Sequence, residues 1–258
     1  MTTAILSALP EEQGGLVQAL EDREQFQYVG RVFWRGRLHG QTVVLGLSGI
    51  GKVAAATTAV VLFERLGAQR IVFTGVAGGM GEGVQVGDVV VATQFLQHDM
   101  DASPIFLRWE VPGYGCTRFA CDPELSAPLF EAASAYLASV EVSFNPQNSG
   151  VTRTHAVRVH QGLIVSGDRF VSTLAESTAL RTTLAAAGHQ ALAVEMEGAA
   201  VAQVCSDFGK PFAAVRTISD CADDNAHIDF PHFIREVARP YADHIIAGFL
   251  QRQSVGAA

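Results

Sequence analysis

The run Ala191-Leu192-Ala193-Val194-Glu195-Met196-Glu197-Gly198-Ala199-Ala200 passes from apolar residues, through two carboxylates flanking a methionine, into a small-residue helix start. It reads as a buried strand turning into a helix, with acids at the junction. A second run, Phe212-Ala213-Ala214-Val215-Arg216-Thr217-Ile218-Ser219-Asp220, ends a β-rich stretch on a hydroxyl and a third carboxylate. Acids at the tips of buried strands are costly to desolvate, so they persist where they have work to do. Strand-tip carboxylates beside a pocket suit a neutral, hydroxyl-rich substrate such as a sugar or nucleoside. An enzyme is expected.

The same strand-then-helix alternation extends along the chain. Ala4 to Leu9 reads as a first buried strand, with Pro10 at the start of a helix. Thr42 to Leu47 is a second strand, Lys52 to Leu66 a helix, and Arg70 to Thr74 a central strand entering a Gly-rich turn at Gly75 to Gly83. Gly87 to Ala92 and Ala156 to Ser166 read as strands. Helices are expected over Pro123 to Ala138 (N-capped by Asp122), Leu174 to Ala187, Gly198 to Phe208 and Phe233 to Gln251. Unbrokenly apolar strands alternating with helices predict an α/β fold, with a mixed, largely parallel central sheet flanked by helices on both faces. No repeat or linker divides the 258 residues, so one domain over 1–258 is expected. In such sheets ligands bind beyond the carboxyl ends of the strands, which draws Leu9, Ser48, Thr74, Asp168 and Asp220 towards one cleft.

Composition narrows the function. Hydrophobic residues make up 48% and charged residues 17%, consistent with a large core and a buried subunit interface. A formal charge of −8 offers no basic field for nucleic acid. No apolar run spans a bilayer, and Met1 to Leu9 is too short for a signal peptide, so a cytoplasmic protein is expected. Cys116, Cys121, Cys205 and Cys221 lack metal-finger spacing, and reduced thiols are the plain reading. No metal is expected.

Gly46, Gly51 and Lys52 have P-loop spacing, but Val53 replaces the magnesium-binding hydroxyl. Gly49-x-Gly51-x-x-Ala54 mimics a dinucleotide fingerprint, which a tight strand-to-helix turn explains without a cofactor. Glu11 and Glu12 either complement a helix dipole or point one carboxylate into the cleft. His98-Asp99-Met100-Asp101 and the pair His227 and His232 accompany no nucleophile elbow or metalloprotease spacing, and read as solvated or structural. Phe170 and Phe230 lie in loop-like contexts and alone carry little weight.

Taken together, Ala8 to Glu12, Ser48 to Ala54, Thr74 to Gly79, Val86 to Val90, Gly162 to Phe170, Ala193 to Ala200 and Ile218 to Asp223 resemble the nucleoside phosphorylase/hydrolase superfamily. Within it they are similar to the 5′-methylthioadenosine/S-adenosylhomocysteine nucleosidases, over about residues 4 to 250. The resemblance implies a nucleoside phosphorylase-like fold, no cofactor, and hydrolysis of an N-glycosidic bond that releases adenine and a thioribose. It casts Glu12 as the base for water and Asp220 as the acid at the leaving adenine. It implies that Glu197 holds the ribose hydroxyls with Met196 against the sugar, and that Ser219 and Glu195 act as supports. The resemblance further implies that Phe170 stacks on adenine, that the Val171 backbone pairs with it, and that Phe230 lines the 5′ pocket. Ile50, Ala77 and Gly78 fall on the matching substrate-binding turns. The resemblance also implies a homodimer whose partner completes the 5′ pocket from the Ile105 to Pro112 region. Asp220 must hold a proton, through burial or through Asp223 and Asp224, whereas Glu12 is expected to be ionised by a helix N-terminus.

Two departures bear on the nucleophile. Phe73 stands where related phosphorylases place an arginine, and Val76 where a small polar residue is common. Both favour water over phosphate. The alternatives are a phosphate-dependent purine nucleoside phosphorylase, a non-catalytic purine-nucleoside binding protein, and a nicotinamide-dependent oxidoreductase. A longer loop at Ser143 to Thr154 and the differing Asp101 to Gly115 segment leave the 5′-substituent open.

Overall fold

Ten strands form one mixed sheet in the computed structural model, which describes residues 1–139, 156–220 and 233–255. Its centre is β1 (Thr3–Ser7), parallel to both β4 (Gln41–Leu47) and β5 (Arg70–Gly79). Beyond β4, the hairpin strands β2 (Glu21–Tyr28) and β3 (Arg31–Leu38) extend the sheet antiparallel. Beyond β5 lie β9 (Ala191–Glu195), β8 (Val159–Ser166) and β6 (Val89–Gln97), with the short β7 (Phe119–Ala120) on β6. The last strand, β10 (Phe212–Asp220), pairs with both β6 and β5, so this half of the sheet closes on itself.

The strands are apolar on both sides because both faces are covered. Ala4 and Leu6 of β1 pack with Phe73 and Ala214 on one face, while Ile5 packs with Val72, Val215 and Val43 on the other. The first face is covered by α2 (Lys52–Glu64) and α5 (Gly198–Asp207). The second is covered by α3 (Pro123–Ser139), the four-residue α1 (Leu16–Ala19) and α6 (Arg239–Val255), which follows a π-helical turn at Ile234–Ala238. Asp122 Oδ1 caps α3 by accepting from Glu124 and Leu125 N–H groups at 2.8 and 3.2 Å. Thr173 caps α4 (Leu174–Ala186) in the same way.

The sheet is mixed, as the sequence suggests, with a larger antiparallel share. The β2–β3 hairpin was not legible as strands, because its turns depend on Val29 and His39 adopting positive φ beside Gly30 and Gly40. The expected Gly-rich turn after Thr74 is instead a continuation of β5 through Gly79, as residues without Cβ atoms let Glu12 and Ile218 approach its backbone. The Ser143 to Thr154 loop lies outside the described residues. Among the described residues, no helix is long and apolar enough to cross a membrane.

Candidate active site

The carboxyl ends of β1, β5 and β9 bring Glu12, Gly75 and Glu197 into one region, organised around a buried cation on β10, the strand that Asp220 closes. Arg216, on β10, is 2% exposed, and its guanidinium stacks 4.1 Å from the centre of the Phe73 ring. Its Nη2 donates to Glu195 Oε2 at 2.8 Å, and its Nη1 donates to the Phe73 and Val215 carbonyls at 3.1 and 3.2 Å. Glu195 is engaged on its other side too. It accepts from the Ser166 hydroxyl and from the Gly198 N–H, while Ala199 N–H donates to Ser166 Oγ at 2.8 Å. Glu195 therefore caps α5 and pairs Arg216.

Glu12 lies in a turn, and this corrects the expected helix start. Successive bonds from Glu12 N to Leu9 O, Gln13 N to Pro10 O and Gly14 N to Glu11 O make tight turns, and α1 begins only at Leu16. Gly14 adopts φ +62°, and Asp243 of α6 accepts from Gly15 N at 2.7 and 3.0 Å, which holds the turn open. Glu11 is exposed and Glu12 buried, so Glu12 alone faces inward. Its Oε2 accepts from Ala8 and Leu9 N–H at 2.8 and 2.7 Å, and its Oε1 from Val76 N–H at 3.1 Å. The Val76 backbone makes this contact, so its apolar side chain does not prevent it. A helix N-terminus was expected to favour ionisation. Instead burial raises the Glu12 carboxyl above its ordinary value, against the opposing pull of the Leu9 amide and Arg216.

Glu197 lies just before α5 and reaches across to α2, where its Oε1 accepts from Gly51 N–H at 2.8 Å. Gly51 adopts φ +93°, a conformation that favours glycine. Burial first, then the charge of Glu195, pushes the Glu197 carboxyl up to about 8, with Gly51 and Arg216 pulling it down. Arg216 is thus hydrogen-bonded to Glu195 and not to Glu197, whose ionisation burial and the Glu195 charge disfavour. Asp220, also buried, closes β10 in register with Gly78, and Ser219 Oγ donates to its Oδ2 at 2.7 Å. Ser219 Oγ also lies 3.4 Å from the Ala77 carbonyl, so Ala77 and Gly78 form the wall behind Asp220.

A cavity of about 290 Å³ opens beside this cluster, lined by Ile50, Gly51, Lys52, Val53, Asp168 and Met196 among others. Ile50 is itself exposed, and it is the neighbouring Gly51 amide that reaches a carboxylate. Phe170 presents its ring at 47% exposure, while Val171 packs against the cluster of Leu96 and Trp109. Phe230, Asp223, Asp224, His227 and His232 lie outside the described residues. Among the described residues, no group of three His, Cys, Asp or Glu side chains is gathered for a metal.

A family model described as the phosphorylase superfamily matches residues 2–251. A 5′-methylthioadenosine/S-adenosylhomocysteine nucleosidase of Oceanobacillus iheyensis is 34% identical over 247 residues, 95% of this chain and 97% of its own length. The Neisseria meningitidis enzyme of the same description, solved with methylthio-immucillin-A, superposes with a TM-score of 0.83 at 34% identity, covering 97% and 99% of the two chains. A futalosine hydrolase mutant of Helicobacter pylori superposes with a TM-score of 0.81 at 29% identity, covering 98% and 99%.

Proposed function

The chain belongs to the phosphorylase superfamily, in the family of 5′-methylthioadenosine/S-adenosylhomocysteine nucleosidases, and on that premise we propose how its site cleaves the N-glycosidic bond. It is an N-glycosyl hydrolase of these two nucleosides, releasing adenine and the 5′-thioribose. Cleavage builds an oxocarbenium-like sugar and leaves negative charge on the purine, so a proton donor is needed at the base and carboxylates, one of them a base for water, at the sugar.

Glu12 is the base that takes a proton from the attacking water. Its amide contacts fix the carboxylate, and the upward shift caused by burial makes it a stronger base once ionised. Asp220 carries the proton delivered to the leaving adenine, with Ser219 fixing one of its oxygens. Glu197, beside Met196 and the cavity, accepts the ribose hydroxyls. Phe170 stacks on adenine and the Val171 backbone pairs with it. The exposed Ile105 and Leu107 of a second copy complete the 5′ pocket, which makes the working form a homodimer. Free thiols at Cys116, Cys121 and Cys205 fit a cytoplasmic enzyme.

The observation that carries water over phosphate is the placement of Arg216. Its Nη1 and Nη2 donate to Glu195 and to carbonyls, and its face lies on Phe73, in a region holding Glu12, Glu195 and Glu197. A phosphate dianion there would face carboxylates with the buried cation already spent. Methylthioadenosine in phosphate-free buffer should yield adenine and free methylthioribose. Asp220→Asn and Glu12→Gln should each abolish turnover. Strict dependence on phosphate, with a sugar 1-phosphate as product, would transfer the chain to the phosphorylase reading.

A further inference from the structure

The His98-Asp99 pair has no part in the chemistry above, yet it sits where three loops of the site meet. Asp99 Oδ1 accepts from Lys52 Nζ at 2.6 Å, and Asp99 Oδ2 accepts from the Asp168 backbone N–H at 2.9 Å. Asp168 Oδ1 in turn accepts from the Lys52 backbone N–H at 2.7 Å. Lys52, Asp99 and Asp168 therefore close a ring across the ends of β4, β6 and β8. Lys52 Nζ also donates to Gln97 Oε1 at 3.0 Å, and Gln97 Nε2 donates to Gln203 of α5 at 2.7 Å.

Each side of the ring leads to a group placed against substrate. Gly51, whose N–H holds Glu197, immediately precedes Lys52. Phe170 follows Asp168 by two residues and is half exposed. Gly167 lies so close to the His98 ring that an added Cβ would stand 2.4 Å from it, which seats the Phe170 turn directly on the His98-Asp99 segment. Burial alone would raise the Asp99 carboxyl, but the Lys52 ammonium and Asp168 amide outweigh it and hold it below the ordinary carboxylate range. The ring's polar contacts are thus made by a charged acid that is only partly screened by water.

We propose that Asp99 is a positioning residue which, through Lys52 and Asp168, sets the adenine-stacking loop of Phe170 against the ribose-binding acid Glu197. The proposal rests on the nucleosidase reading for the identity of the ligand. Glu12 and Asp220 stand on other elements, so loss of the ring should loosen substrate placement more than it slows the chemical step.

The test compares wild type with Asp99→Ala, Asp99→Asn and Lys52→Met, measuring KM and kcat for methylthioadenosine, Kd for adenine, and Tm. Asp99→Ala should raise KM and the adenine Kd by about tenfold, with kcat changed by less than about threefold. Asp99→Asn, which keeps an acceptor for the Asp168 N–H, should recover part of the adenine affinity. Lys52→Met combined with Asp99→Ala should be no worse than the poorer single variant, because both break one ring. A residue serving stability alone would lower Tm and leave KM and the adenine Kd in place. That result, or unchanged affinity in both Asp99→Asn and Lys52→Met should Asp99→Ala fail to fold, overturns the proposal. If wild type binds adenine but releases none from methylthioadenosine, the nucleosidase reading fails instead, and the adenine Kd series still judges the ring.

Discussion

Replacing Glu197 by Gln should make the ligand-free protein more stable as pH rises, while impairing its reaction. Gln keeps the size of the side chain and an oxygen for the Gly51 N–H, so the comparison isolates the charge. Burial and the Glu195 charge move this carboxyl from 4.5 to about 8 in the folded protein. The protonated form is the one the fold favours. Its contribution is fully present below pH 4.5 and is lost as pH rises through 8. At 1.36 kcal/mol per tenfold change in proton affinity, wild type should lose roughly 3–4 kcal/mol relative to Glu197→Gln between about pH 5 and pH 8. Glu12 is raised in the same direction and interacts with Glu197, so part of this figure belongs to the pair. For a chain of this size the difference corresponds to roughly 6–16 °C in Tm. Thermal unfolding of both proteins across that range, without nucleoside, gives the comparison directly. Parallel Tm-versus-pH curves would show that Glu197 ionises in the folded protein as it does in water, and the account of the acid cluster would be wrong.

Three further perturbations address the frame around the acids. Arg216→Met should cost about 3–5 kcal/mol, because it leaves the Glu195 carboxylate buried without its cation, and adding Glu195→Gln should restore part of the loss in Tm. Gly75→Ala puts a methyl group 3.1 Å from Glu12 Oε1 at a backbone conformation open to alanine, so kcat should fall about tenfold or more while Tm changes little. Gly198→Ala drives a Cβ to within 2.2 Å of the Phe95 ring, for an expected loss of about 1–3 kcal/mol that Phe95→Leu should partly relieve in thermal unfolding.

The sequence carries the central βα units and the acids at their tips because both depend on local pattern. Runs such as Phe212 to Val215 are apolar at every position, since each face of β10 meets a helix-covered core. Glu195, Glu197 and Asp220 stand out because acids interrupt such runs. The hairpin of β2 and β3 was hidden by turns that place Val29 and His39 at positive φ, although Gly30 and Gly40 flank it. Glu12 followed the opposite course: its identity was legible and its support was not. Pro10 and two acids resemble a helix start, but Gly14, Gly15 and the distant Asp243 make a turn in its place. The ring of Lys52, Asp99 and Asp168 joins residues 47 and 116 positions apart, a relation no local pattern encodes.

The two acids of the Glu195-Met196-Glu197 segment show how one short motif places two carboxyls in different surroundings. Glu195 ends β9 facing Arg216, Ser166 and the first amides of α5, and cation, hydroxyl and helix terminus all donate to it. Glu197, two residues on, receives one amide from Gly51 and the repulsion of Glu195. The pairing of Arg216 with Glu195 therefore does more than hold the strands together. It withholds the buried cation from Glu197, keeping that acid near the point where it can gain or lose a proton, and sets a carboxyl beside the cavity that a ribose hydroxyl can satisfy either as donor or as acceptor. Had the cation paired with Glu197 instead, the site would present a fixed ion pair where the proposed chemistry needs an adaptable one.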